Sequence, residues 1–125
     1  MSKEQSLWMI AGALATLTIG CGAGPVQLCK DGADTTCKRV YECYTEQERA
    51  GANFIASYGS SETECRSKLE SNQCAKVSDS QPCTDSSRKY DQGKASACID
   101  DLKRASCETI RGGTFTSGNC SGVCS

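Results

Sequence analysis

The 125-residue chain contains no histidine, only 2 prolines and 1 tryptophan, and no surplus of either charge: 14 Lys and Arg stand against 15 Asp and Glu. Without histidine there is no Ser-His-Asp or Cys-His nucleophile system, no usual catalytic zinc site and no imidazole pH switch. The balanced charge, with no local run of Lys and Arg, excludes the basic surface by which a nucleic-acid binder releases counterions. No stretch alternates apolar and polar residues for long enough to argue a sheet. There is also no Cys-x-x-Cys pair for thiol redox catalysis. A non-catalytic protein without cofactor or metal is expected.

What the chain does have, in quantity, is cysteine, 11 in all, and a distinctive N-terminus. A polar head, Met1 to Ser6, carries Lys3 and Glu4 and is followed by thirteen uncharged residues from Leu7 to Ile19. As a helix this run would span about 20 Å, short of the roughly 30 Å hydrocarbon core of a bilayer. A polar head followed by a short apolar run is the pattern of a secretory signal.

The residues Leu17-Thr18-Ile19-Gly20-Cys21 resemble the lipobox of bacterial lipoproteins, with Gly20 before the cysteine and Thr18 where leucine is usual. The resemblance implies lipidation of Cys21 after removal of residues 1–20, and it implies attachment to the membrane through that lipid. Gly22 is not the aspartate associated with inner-membrane retention, so the same analogy favours the outer membrane. The alternative is an ordinary secretory cleavage near Ala23, which discards Cys21. The expected organisation is a signal peptide (1–20), a lipidated N-terminus with a short tether (21–30) and a cysteine-rich helical domain (31–125).

Setting Cys21 aside leaves ten cysteines: Cys29, Cys37, Cys43, Cys65, Cys74, Cys83, Cys98, Cys107, Cys120 and Cys124. An exported chain enters an oxidising compartment, and this density is that of a disulfide scaffold with up to five bridges. Ten cysteines allow about 945 pairings, so the connectivity stays open. Bridges are needed, because after Cys21 there are only ten large aliphatic residues and six aromatic ones. Burying each contributes roughly 1.5–3 kcal/mol, against roughly 1–2 kcal/mol of backbone entropy for every residue ordered.

The expected fold is small, mainly α and disulfide-rich, with about three helices. The first runs from Asp34 to Ala50, with Cys37, Val40, Tyr41 and Tyr44 on one face and Gly51 as its stop. The second starts at Ser61, where Ser61-Glu62-Thr63-Glu64 has capping-box spacing, and frays near Asn72. The third is capped by Asp91 and closed by Gly112 and Gly113. Gly22 to Asp31, Ser78 to Lys89 and Gly113 to Ser125 read as tether and loops.

The second and third helices echo each other. Cys65, Leu69, Cys74 and Val77 share their spacing with Cys98, Leu102, Cys107 and Ile110, offset by 33 residues. A nine-residue step turns a straight helix by about 900°, so the two cysteines of each unit should face opposite sides if the helix continues. Two copies are too few for a solenoid.

Over roughly residues 37 to 107, this arrangement resembles cysteine-rich lipoproteins of Gram-negative bacteria. The likeness rests on the Cys37 to Tyr44 helix, the Cys65-x3-Leu69 helix, the Tyr90-Asp91 turn, and Ala97-Cys98, Leu102 and Ser106-Cys107 after it. It implies an envelope location and brings no activity or site residues.

Other chemistry is weaker. Cys120 and Cys124 form the only close cysteine pair, too little for structural zinc. Ser86 and Lys89 have the Ser-x-x-Lys spacing of penicillin-recognising enzymes, but the Lys-Thr-Gly element is missing. The pairs Asp100/Asp101, Glu62/Glu64 and Glu46/Glu48 diverge by about 100° or 200° on a helix and do not converge on a substrate. Asp31 and Asp34 lack the order of a calcium loop. Asn119 begins a glycosylation sequon that means little beside a bridged Cys120. Tyr41, Tyr44, Phe54 and Tyr58 hold four of the six aromatics after Cys21, and they serve either as core or as a binding patch.

The sequence thus leads to the expectation of a lipid-anchored domain of the cell envelope, with a structural or binding role toward an envelope protein partner and no nucleic acid. A freely secreted inhibitor or effector, inserting a rigid loop such as Ser78 to Lys89, is the alternative.

Overall fold

The computed structural model describes residues 24–125, so the expected signal peptide and Cys21 lie outside the described residues. Among the described residues there are seven α-helices, one π-helical turn and no strand beyond a single antiparallel bridge between Tyr90 and Cys124. None of these helices is long and apolar enough to cross a membrane.

Helix α1 spans Pro25–Cys43 and is the spine of the domain. It begins nine residues before Asp34, within the stretch expected to be a tether. Pro25 supplies a preset helical φ at the first position, where its missing N–H has no helical partner to lose. The cap comes from far along the chain: Asp79 Oδ1 accepts the Val26 N–H at 3.3 Å. A Cβ on Gly24 would stand 3.0 Å from that oxygen, so glycine leaves room for the approach. The helix ends at Cys43, short of the expected Ala50, because Tyr44 and Thr45 are extended and Thr45 caps the short α2 (Glu46–Arg49) by accepting the Glu48 N–H.

Helix α3 (Ala52–Tyr58) follows, closed by Gly59 at φ +85° and ψ 177°, a region open essentially to glycine alone. Helix α4 (Glu62–Leu69) is capped by Ser61 as expected, but only half of a capping box forms. Glu64 reaches past Ser61 to the Ser60 backbone N–H at 2.9 Å and the Ser60 hydroxyl at 2.5 Å.

Beyond Leu69 the helix widens into a π turn, Glu70–Cys74. A π turn holds more residues than an α turn, so each residue rotates the chain less. That change of phase is why Cys65 and Cys74 do not face opposite sides. Both bond to α1, through Cys37–Cys65 and Cys29–Cys74, which hold the α4 segment antiparallel to it.

Helix α5 (Gln92–Arg104) is capped by Asp91, which accepts the Lys94 N–H at 3.0 Å. It stops at Ala105 and does not continue to Gly112. The Ala105 carbonyl accepts a hydrogen bond from the Arg39 guanidinium on α1, while Ser106 caps a new helix, α6 (Cys107–Gly112). Gly113 ends α6 in the left-handed conformation, and α7 (Gly118–Ser121) follows under a Ser117 cap. The sequence echo does not extend to the bonding, since Cys98 joins Cys120 of α7 and Cys107 joins Cys43 of α1.

The fifth bridge, Cys83–Cys124, pins the 78–89 loop to the C-terminus. The ten cysteines after Cys21 are all paired, which fits an oxidising, exported environment. Of the eleven buried hydrophobic residues described, five are cysteines (Cys37, Cys43, Cys65, Cys74 and Cys83). Sulfur occupies the place that aliphatic side chains fill in an ordinary core.

Candidate functional site

Two apolar assemblies flank α1. The first contains the four aromatic residues singled out in the sequence. Phe54 of α3 is buried, with ring centroids of Tyr41, Tyr44 and Tyr58 at 5.4, 5.2 and 5.1 Å. The tilted and edge-on geometries are those that aromatic quadrupoles favour.

The half-buried tyrosines are occupied as well. Tyr41 donates to the Gly59 carbonyl at 3.1 Å and lies under Arg49, while Tyr44 donates to the Arg111 carbonyl at 3.2 Å and lies under Arg111. Burial raises the Tyr41 phenol above its ordinary value. Arg111 also pairs with Glu48 at 2.9 Å, and the hydrogen bond from Arg111 holds the Glu48 carboxyl below the usual range. The cluster packs α2 and α3 onto α1, and Phe54 is part of the interior.

The second assembly was not anticipated. Between α1, α5 and the C-terminal segment lies a cavity of about 540 Å³, within the range of small-molecule sites. Seven of the ten large aliphatic residues after Cys21 line it, among them Leu28 and Val40 of α1, Ile99 and Leu102 of α5, and Val123. Leu28, Val40 and Leu102 are themselves buried, so they pack as core beneath a half-open cleft. Cys29, Cys98 and Cys124 also border it, so three of the five bridges hold its walls. Helical spacing marked most of these residues as core, but which of them border a cleft depends on non-local pairing.

Thr36, Gln73 and Thr84 are the polar residues of the lining, and the Tyr90 ring borders it as well. The Tyr90 hydroxyl is occluded and has no hydrogen-bond partner among the described residues. Burial first, then the carboxylates of Asp79 and Asp91, push its phenol above the ordinary value.

Other residues weighed from sequence are placed elsewhere. Asp101 accepts from Ser117 at 2.6 Å, Asn119 at 3.0 Å and Arg104 at 2.8 Å, which ties α5 to α7 and holds its carboxyl low. Its neighbour Asp100 is exposed. Ser86 and Lys89 lie exposed in a loop turned by Asp85, which accepts from Ser87. Among the described residues no group of three His, Cys, Asp or Glu side chains is arranged to hold a metal.

The Asp101 network carries a pH expectation. Because its carboxyl titrates lower in the folded chain than in the unfolded one, the network's contribution is present above about pH 4. It is lost as the pH falls through the folded value. Asp101→Asn should flatten the fall in melting temperature below about pH 4. A variant whose acid limb superimposes on wild type would show that Asp101 does not contribute.

Comparisons of the chain with protein-family models, with curated proteins and with solved structures found no match.

Proposed function

We propose that the chain is a non-catalytic lipoprotein of the cell envelope, in which a lipid on Cys21 holds a disulfide-fixed binding domain at the membrane surface. The observation that carries this reading is the pairing of all ten cysteines after Cys21, which leaves Cys21 as the one thiol without a bridging role. Its position at the end of an export-type segment, preceded by Gly20, suits lipidation. A binding role is supported by the bridged cavity, whose walls are fixed before any ligand arrives, so little ordering entropy is spent on association.

The test is the intact mass of protein purified from bacterial envelopes, recorded before and after reduction with alkylation. The expected species starts at Cys21, carries a lipid-sized increment and exposes ten thiols only on reduction. A lipid-free chain starting near Gly24 would overturn the anchor and leave a freely secreted binding protein.

A further inference from the structure

We propose that the domain rests directly on the lipid headgroups through the end formed by the first turn of α1 and the 78–81 turn, held there by the two residues that follow Cys21. This inference rests on the anchor proposed above and names the surface that meets the membrane.

The length of the link carries it. The sequence leaves room for a ten-residue tether, but the fold takes up most of it: α1 starts at Pro25, and the Gly24 carbonyl already accepts the Leu28 N–H at 2.9 Å. Only Gly22 and Ala23 separate Cys21 from that first fixed residue. Three Cα steps, even fully extended, reach about 11 Å. The headgroup layer of one leaflet is itself about 5–8 Å deep. A lipid seated in the hydrocarbon region therefore brings Gly24 down to the headgroup surface.

The helix cannot lengthen the link by unwinding. Asp79 Oδ1 accepts the Val26 N–H at 3.3 Å and ties the first turn of α1 to the 78–81 turn, in which Ser78 and Gln81 exchange backbone hydrogen bonds. One turn further on, the Cys29–Cys74 bridge fixes α1 covalently.

The side chains at this end suit the contact. Gln27, Ser78, Ser80 and Gln81 are exposed and uncharged, and Asp79, the one charged residue in 24–28 and 78–81, is engaged by the Val26 N–H. Headgroups thus meet hydrogen-bonding groups without stripping water from a bare charge. The other end of the 19-residue α1 lies about 27 Å away. It presents Glu42 and, on α2, Glu46, both exposed carboxylates that lipid phosphates repel.

The chain's one tryptophan, Trp8, falls in the expected signal segment, so a single tryptophan placed in the mature domain reports its own depth. Gln27→Trp, Ser80→Trp and Ile55→Trp each occupy an exposed position, the last on α3 beside the far end of α1. Lipid-bearing protein from bacterial envelopes is reconstituted into phosphatidylcholine vesicles containing a lipid with a nitroxide on its headgroup. Tryptophan at positions 27 and 80 is expected to be quenched at least about threefold more than at position 55, given the roughly 27 Å between the ends of α1. A Gly/Ser spacer of about 15 residues between Ala23 and Gly24, with an r.m.s. length of about 21 Å, should bring the quenching at position 27 down to the level at position 55. Equal quenching at all three positions, or quenching at position 27 that the spacer leaves unchanged, would overturn the proposal. The intact mass of the same preparations separates this surface from the anchor. A lipid-free chain overturns both, whereas lipid on Cys21 with equal quenching overturns the surface alone.

Discussion

Reduction of the five bridges is expected to unfold the domain at room temperature, with loss of most of the helical circular dichroism signal and of any cooperative melt. The bridges close loops with sequence separations of 22 to 64 residues. In the chain-entropy account, loops of that size are worth roughly 3–4 kcal/mol each. The net stability of a typical domain is about 5–15 kcal/mol, so losing three or four bridges removes an amount of the same size.

The effect should exceed a pure entropy loss here. Nearly half of the buried hydrophobic residues described are cysteines, and reduction turns tight covalent contacts into pairs of thiols that must separate within the interior. Helix α1 would be hit hardest, being bridged at Cys29, Cys37 and Cys43 to three other segments. The measurement is a far-ultraviolet melt with and without reductant, with free thiols counted in the same samples. An unchanged melt with ten free thiols would refute the expectation.

Phe54→Ala is expected to be the most damaging single substitution outside the cysteines, at about 3–5 kcal/mol. Phe54 is the centre of the three ring contacts, and α2 and α3 contain no cysteine to hold them once the ring is gone. The adjacent bridges Cys37–Cys65 and Cys43–Cys107 would persist, so the loss should concentrate in residues 45–60. Amide exchange there should rise toward unprotected rates, and the melting temperature should fall by more than about ten degrees. Tyr58→Ala removes a half-buried ring and should cost less. If Phe54→Ala melts like wild type and loses only a partner, the four aromatics are a binding patch.

Much of the helical content was legible because helix starts are local. Ser61, Asp91 and the residues they cap lie three apart, and a side chain that accepts an N–H three residues on leaves the same trace in every fold. The parity of ten cysteines after Cys21 was equally open to counting. Among the helices, α3 escaped notice because its seven residues show only Phe54 as a buried anchor, too few for a period. The early start of α1 escaped because its cap, Asp79, stands 53 residues away from Val26.

The sequence by itself determined that this is a small helical chain dependent on disulfides, since short-range spacing, capping residues and cysteine number are properties of neighbouring positions. Tertiary structure alone decided which cysteines pair. The break at Ala105 falls where Ser106 caps α6 and where Arg39, 66 residues away, donates to the Ala105 carbonyl. Tertiary structure also decided the π turn that brings Cys65 and Cys74 onto one helix, and the cleft that the apolar residues border. Each of these depends on groups distant in sequence meeting in space, which periodicity does not encode.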